Sequence, residues 1–321
     1  MSRSRIRITL LAAVTMVGGL VIAGGIGMTA IPAQAASGLP VAPYVDMGSW
    51  PTPSLSTMSK ASGVKSYTLG FVTSAGCKAS WFNAYDPRSK WQSAEIQKIR
   101  SAGGDVVVSF GGASGIELAQ ACSSVSALAA EYQAVVKAYS LKYIDMDIEG
   151  AAVADPASIK RRSQALAQVQ KATGVRISLT LPVLPSGLTS DGLNVVKAAK
   201  SAGVKVDVVN IMAMDYYQGK ADYGNKAKDA ANKTYSQVNS IYPGWASIAI
   251  TPMIGKNDDG QTFNQSDAKD LVTFAKSKHL GRLGFWETTR DRNACNGALY
   301  MCTNIKQTPY EFSKIFAGYK G

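Results

Sequence analysis

After residue 40 the chain alternates between two hydrophobic patterns. Short apolar runs with strand-like spacing occupy Val41–Trp50, Ser66–Thr73, Asp105–Gly112, Leu141–Glu149, Arg176–Pro185, Val206–Tyr216, Ala246–Gly255 and Arg282–Asp291. Several are nearly continuous, as in Val106-Val107-Val108 and Val208-Val209, which is the signature of parallel strands buried on both faces. Between them lie amphipathic Ala/Lys/Gln-rich stretches over Trp91–Ala102, Val125–Ser140, Pro156–Thr173, Gly187–Ala202, Lys226–Ile241, Asn264–Lys278 and Pro309–Tyr319. Gly103, Gly174 and Gly203 each follow such a stretch, where a helix needs a left-handed residue to stop.

Strands that alternate with helices or shorter links at this spacing predict an α/β fold, a single-domain (β/α)8 TIM barrel. A doubly wound open sheet is the competing arrangement, but no glycine-rich dinucleotide fingerprint follows the first strand. Gly111-Gly112-Ala113-Ser114-Gly115 lacks a phosphate-loop lysine and reads as a tight turn at the barrel mouth.

Residues 1–35 fall outside this alternation. Arg3, Arg5 and Arg7 precede an apolar stretch from about Ile8 to Ile31, and Ala33-Gln34-Ala35 offers a small-x-small cleavage site. This predicts a secretory signal peptide, with 36–321 as the barrel domain. An uncleaved anchor is the alternative, since the stretch approaches the length of a span. No stable membrane anchor is expected after cleavage. Loss of the three arginines lowers the formal charge from +12 to +9. No dense Lys/Arg run with interleaved aromatics is present, so no nucleic-acid partner is expected, and scattered positive charge suits solubility or attraction to anionic cell walls.

In an exported chain, four cysteines suggest two disulfides. Cys295 and Cys302 are close enough to staple one loop, which leaves Cys77 and Cys122 to pair by elimination. A zinc site is the rival, but there is no CxxC, and the single histidine, His279, sits at a helix C-terminus where a cation is favourable. No metal and no cofactor are expected.

The densest chemistry lies in Lys142-Tyr143-Ile144-Asp145-Met146-Asp147-Ile148-Glu149. On a strand, Asp145, Asp147 and Glu149 share one face and Ile144, Met146 and Ile148 the other. Clustered buried carboxylates repel one another and lose solvation, so stability alone does not favour them. A calcium site is one outlet for such a cluster, although one strand does not wrap a cation. Catalysis is the other. In such barrels chemistry sits at the strand C-termini, and the neighbouring ends supply Ser109, Met212, Asp215 with Tyr216, and Trp286.

The triplet Asp145-x-Asp147-x-Glu149 resembles the DxDxE core of family 18 glycoside hydrolases, the chitinase family. Ser109-Phe110-Gly111-Gly112 is similar to its SxGG signature, Asn210–Tyr216 to its sixth-strand motif, and Trp286 stands where the family places an eighth-strand tryptophan. The resemblance spans essentially the whole mature chain. Two positions depart from it. Lys142-Tyr143 replaces the usual Asp-Gly, and Met214 stands where a tyrosine is usual, a form some microbial chitinases resemble; Tyr216 or Tyr217 is then the candidate acetamide-contacting hydroxyl.

The resemblance implies a secreted, monomeric endo-chitinase that cleaves β-1,4 bonds between N-acetylglucosamine units with retention, the substrate acetamide acting as nucleophile. Glu149 would be the proton donor, Asp147 the acetamide clamp and Asp145 its modulator. Asp215 and a tyrosine would orient acetamide and water, and Trp286 would floor the sugar. Ser109 reads as a structural hydrogen-bonder below the acids. Trp81, Tyr85, Trp91 and Trp245 are possible groove residues, though scattered aromatics are more often packing. About 26 residues separate strands seven and eight, too few for the extra α+β insertion of some members, so a shallow groove is expected. The alternatives are an endo-β-N-acetylglucosaminidase acting on N-glycans and an inactive glycan-binding barrel.

Overall fold

The computed structural model describes residues 38–220, 222–244 and 247–321; the expected signal peptide and Trp245 lie outside these. Eight parallel strands follow one another around a barrel: β1 (Tyr44–Asp46), β2 (Tyr67–Ser74), β3 (Val106–Gly111), β4 (Tyr143–Asp147), β5 (Arg176–Leu184), β6 (Val206–Met212), β7 (Ser247–Thr251) and β8 (Arg282–Leu283). Backbone hydrogen bonds from Ala42 N–H to the Leu283 carbonyl (2.9 Å) and from Leu283 N–H to the Pro40 carbonyl (2.8 Å) join the last strand to the first. The fold is the expected (β/α)8 barrel.

Eight helices return the chain: α1 (Leu55–Ser62), α2 (Ser93–Ser101), α3 (Val125–Tyr139), α4 (Pro156–Thr173), α5 (Ser190–Ser201), α6 (Tyr223–Ile241), α7 (Gln265–Lys278) and α8 (Glu311–Phe316). Their starts follow capping chemistry. Asp155 accepts from the backbone of Ala157 and Ser158 ahead of Pro156, and Asn264 with Asp267 forms a reciprocal capping box. Gly103, Gly174 and Gly203 all take positive φ, between 70° and 81°, as their position after each helix requires.

Every residue of β3 is buried, and Ile144, Met146 and Ile148 have no exposed surface. Each such side chain contributes about 2 kcal/mol of burial. This outward apolar face presses β4 under the helical shell and turns its carboxylates inward.

Five expected strands end early, β1 at Asp46 and β7 at Thr251 among them. β4 stops at Asp147, with Glu149 still extended but capping a short 3-10 turn over Gly150–Val153. β6 stops at Met212, because Asp215 and Tyr217 turn through positive φ. β8 is two residues long, since Glu287 accepts from Thr289 and Arg290 N–H and starts a helix at Thr288. α1 was not anticipated: its eight residues bury only Leu55, Met58 and Ser62, too weak a period to read. Between β7 and β8 lie only a small hairpin (Gly255–Lys256 with Thr262–Phe263) and α7. Among the described residues no helix is long and apolar enough to cross a membrane.

The cysteines pair as Cys77–Cys122, joining the loops after β2 and β3, and Cys295–Cys302, closing a short loop after β8. From their separations of 45 and 7 residues, loop-closure entropy assigns about 4 and about 2 kcal/mol respectively. We therefore expect Cys77→Ser/Cys122→Ser to lower the urea unfolding free energy more than Cys295→Ser/Cys302→Ser. Equal losses would show that the longer bridge does not restrain the unfolded chain.

Candidate active site

The site is built on a polar layer inside the barrel. Register places Asp145 between Ser109 of β3 and Ser178 of β5. Its carboxylate is 1% exposed. Four hydroxyls donate to it: Tyr44 (2.9 Å) and Ser109 (2.7 Å) to Oδ2, Ser178 (2.6 Å) and Thr180 (2.8 Å) to Oδ1. The layer continues from Asn210 Nδ2 to Thr180 Oγ1 (3.0 Å) and from Thr251 Oγ1 to Asn210 Oδ1 (3.0 Å). The buried Arg282 guanidinium, its pKa lowered by desolvation and held up by Asp145, donates to Ser178 Oγ from below at 3.5 Å.

One step toward the mouth, Asp147 is also buried, and its Oδ1 has no hydrogen-bond partner. Burial pushes its carboxyl well above the usual carboxylate range, with Glu149 and Asp145 adding like charge. Glu149 is raised too, chiefly by burial, and its side chain interacts directly with that of Asp147. Two acids in this contact cannot both ionise cheaply, so the pair retains a proton.

The glycine turn closes against this pair. Gly112 N–H donates to the Asp147 carbonyl (3.1 Å). A Cβ on Gly111, at φ 101°, would lie 2.1 Å from that carbonyl oxygen, and one on Gly112 would lie 2.8 Å from the Phe71 ring. Phe71 in turn stacks on Trp286, with centroids 5.7 Å apart and planes 21° apart, and Tyr44 flanks the same indole at 5.9 Å. Behind Trp286, fully buried Glu287 anchors the chain; burial raises its carboxyl to about 7 despite the backbone N–H groups of Thr289, Arg290 and Asp46.

Across the cleft, Asp215 Oδ1 accepts from the backbone of Asp258 (2.7 Å), clasping the β7 hairpin to the end of β6. Arg290 Nη2 braces that hairpin from beneath through the Ile254 and Lys256 carbonyls (2.8 and 2.7 Å). Burial, then Asp258, raises the Asp215 carboxyl.

Together these ends enclose a cleft of 220 Å³. Asp147, Glu149, Met212, Asp215 and Trp286 line it, as do Tyr44, Phe71, Thr180, Met214 and Asp258. A depression of 430 Å³ between α4 and α5 is larger but gathers no carboxylate cluster, so chemistry rather than size assigns the site.

Ser109 is wholly buried beneath the acids, where it donates to Asp145 and does not line the cleft. Tyr216 points away from the cleft, is 4% exposed, packs on Tyr223 at 5.1 Å and leaves its hydroxyl without a partner; the tight turn after Met214 carries it outward. Tyr217 is 73% exposed and does not line the cleft. Trp81, Tyr85 and Trp91 form a packed cluster after β2, with Tyr85 stacked on Trp91 at 4.8 Å, and none lines the cleft. Lys142 and Tyr143 sit at the opposite end of the barrel, against Asp105 and Arg176 respectively.

Tyr44, Thr180, Asn210 and Asp258 escaped the sequence reading. Ser178, Thr180 and Asn210 had a signal, polar residues at inward positions of otherwise apolar strands; Tyr44 and Asp258 had none.

The architecture and its mouth define an eight-stranded barrel carrying a proton-sharing carboxylate cluster beside an aromatic floor. The family model for glycosyl hydrolases family 18 matches residues 44–249, and the chain belongs to that family. It is 37% identical over 303 residues to the probable bifunctional chitinase/lysozyme of Escherichia coli strain K12, an alignment covering 86% of this chain and 34% of that protein. It is 38% identical over 271 residues to endochitinase 11 of Metarhizium anisopliae, covering 78% and 52%. The chain thus spans about a third to a half of the length of these curated relatives. The crystal structure of the catalytic domain of the hyperthermophilic chitinase from Pyrococcus furiosus superposes with a TM-score of 0.81 at 31% identity, covering 89% of this chain and 96% of that one.

Tyr44→Phe removes one of the four donors to Asp145, and we expect a loss of about 1–3 kcal/mol in urea unfolding; an unchanged midpoint would show that the other hydroxyls suffice. Because the folded pKa of Asp147 is raised, its stabilising contribution is complete below the unfolded value and is lost as pH rises through the folded one. Asp147→Asn should therefore gain Tm relative to the parent as pH rises from 4 to 8. A difference that shrinks over that range would contradict the raised pKa.

Proposed function

We propose that this chain is a secreted endo-chitinase that hydrolyses β-1,4 bonds between N-acetylglucosamine units with retention, through a substrate-assisted oxazolinium path. The observation that carries the reading is the buried Asp147–Glu149 pair with an unpartnered Asp147 Oδ1 in a cleft beside Trp286. The names of the relatives above support the substrate class.

A two-carboxylate retaining mechanism needs its acids on opposite sides of the anomeric carbon, about 5 Å apart. Asp147 and Glu149 touch each other, and both oxygens of Asp145 are occupied by hydroxyls. No member of the triplet is then free to attack, so the nucleophile comes from the substrate. Glu149 gives its proton to the leaving glycosidic oxygen while the acetamide oxygen bonds to C1 and the C1–O bond breaks. Asp147 accepts the acetamide N–H and stabilises the oxazolinium. Water then attacks C1, Glu149 takes its proton, and the ring opens. Asp145, held by four hydroxyls, fixes the strand that carries Asp147 and raises its carboxyl as a neighbouring acid; Asp215 orients the acetamide, and Trp286 supports the sugar face. With Met214 in the usual tyrosine position, Tyr44 is the tyrosine hydroxyl nearest the acids. The short β7–β8 connection leaves the groove open at its side, which suits internal cleavage.

The test incubates the protein with chitin oligosaccharides and, separately, a high-mannose glycopeptide, beside Glu149→Gln. We expect internal cleavage of the oligosaccharides with the β-anomer formed first, and a fall in kcat of about 10²–10⁴ in the variant. Release of glycan from the glycopeptide alone would assign an endo-β-N-acetylglucosaminidase, and binding without turnover a lectin-like barrel. Secretion is checked by N-terminal sequencing of protein from culture medium, with Ala36 expected first.

A further inference from the structure

Charge is distributed unequally between the two ends of the barrel. Parallel strands put every helix C-terminus beside a strand start, so one face gathers the last turns of the helices. There stand Lys60, Lys137, Lys171, Lys200, Lys276 and Lys278. The helix dipole accounts for cations in those turns. It does not account for the further lysines at the strand starts, Lys65 and Lys142, or for Lys320, which together surround a cavity of 420 Å³ with the backbone of Gly63 and Gly103.

Acids are scarce at this end. Among the described residues the carboxylates next to strand starts are Asp105 and Asp207. Asp105 is held by Arg100 (2.8 Å) and approached by Lys142 (3.6 Å), and Asp207 is held by Arg176 (2.9 Å). The mouth, by contrast, carries Asp147, Glu149, Asp215 and Asp258.

We propose that the base of the barrel is a docking surface for a flexible linear phosphate polymer without bases, and that docking there leaves the cleft facing away from the polymer. Charge complementarity carries the partner class, and the surface chemistry narrows it. The large exposed hydrophobics, Trp50, Tyr85, Ile116, Tyr217, Tyr300 and Met301, all belong to loops that follow strand C-termini, so the base offers nothing to insert into a lipid bilayer. Its tyrosines are not open platforms for stacking bases, since the Tyr143 ring lies under Arg176 and Tyr319 is buried. Of its arginines, Arg100 and Arg176 are committed to Asp105 and Asp207, and Arg282 is buried inside the barrel. What remains is a spread of flexible ammonium groups, which bind phosphate as point charges without demanding a fixed geometry.

The experiment titrates the purified protein with labelled long-chain inorganic polyphosphate between 50 and 200 mM salt. Lys60→Glu/Lys65→Glu/Lys171→Glu/Lys320→Glu should bind at least tenfold more weakly at the lower salt. Its slope of log affinity against log salt should shrink by about 3, the loss of up to four phosphate contacts. Lys90→Glu/Lys220→Glu/Lys233→Glu/Lys306→Glu, which changes net charge equally away from the base, should retain most of the affinity. Equal weakening in the two variants would overturn the assignment, as would tighter binding to phosphatidylglycerol vesicles or duplex DNA at the same phosphate concentration. Should the first variant fail to fold by circular dichroism, the four lysines changed to glutamine are judged by the same slope. None of these residues lines the cleft, so binding is read independently of hydrolysis.

Discussion

The Asp145 carboxylate sits almost solvent-free in the middle of a barrel, and four hydroxyls from three other strands meet on its two oxygens. A polar group in such a place is tolerable only if its lone pairs are filled by donors of fixed geometry. That requirement ties together β1, β3, β4 and β5, since a slip of one residue on any of them would turn its donor outward and leave the carboxylate bare. It also sets the level of the next layer. Asp147 and Glu149 stand above a carboxyl group already satisfied from below, so the strain of carboxylate proximity falls on them, and burial with that proximity raises both carboxyls above the usual range.

The mouth is assembled by a second set of constraints that come from loops. Gly111 and Gly112 permit the chain to pass within hydrogen-bond distance of the Asp147 carbonyl, where any side chain would collide with the backbone or with Phe71. Glu287 ends β8 by starting a helix and thereby fixes the outward turn that presents Trp286. Asp215, in a left-handed conformation that aspartate tolerates, draws the β7 hairpin across the cleft by accepting from Asp258 N–H. Each device trades regular strand pairing for the aim of one side chain.

The same alternation of strand and helix polarises the molecule as a whole. Acids that cap helix starts and the carboxylates of the cleft fall on one end, and lysines in last turns fall on the other. Functional asymmetry and the stabilisation of individual helices therefore point the same way, and neither works against the other in this fold.

Much of this was legible in the residues. Continuous apolar runs such as Val106–Val108 specify strands buried on both sides, Asp155-Pro156 and Gly174 bracket α4, and alternation alone puts Asp145 and Asp147 on one face of β4, with Glu149 following in extended backbone. These are properties of period and local stereochemistry, which a sequence carries in full. What only the tertiary structure decided is which distant groups meet them. Tyr44 reaches Asp145 across 101 residues, Asp258 arrives on a hairpin, and Tyr216 turns its ring to Tyr223 instead of the cleft because the backbone winds through positive φ just before it. The direction of a side chain at a strand end depends on the turn that follows and on what packs behind it, and those are non-local terms that no period in the chain encodes.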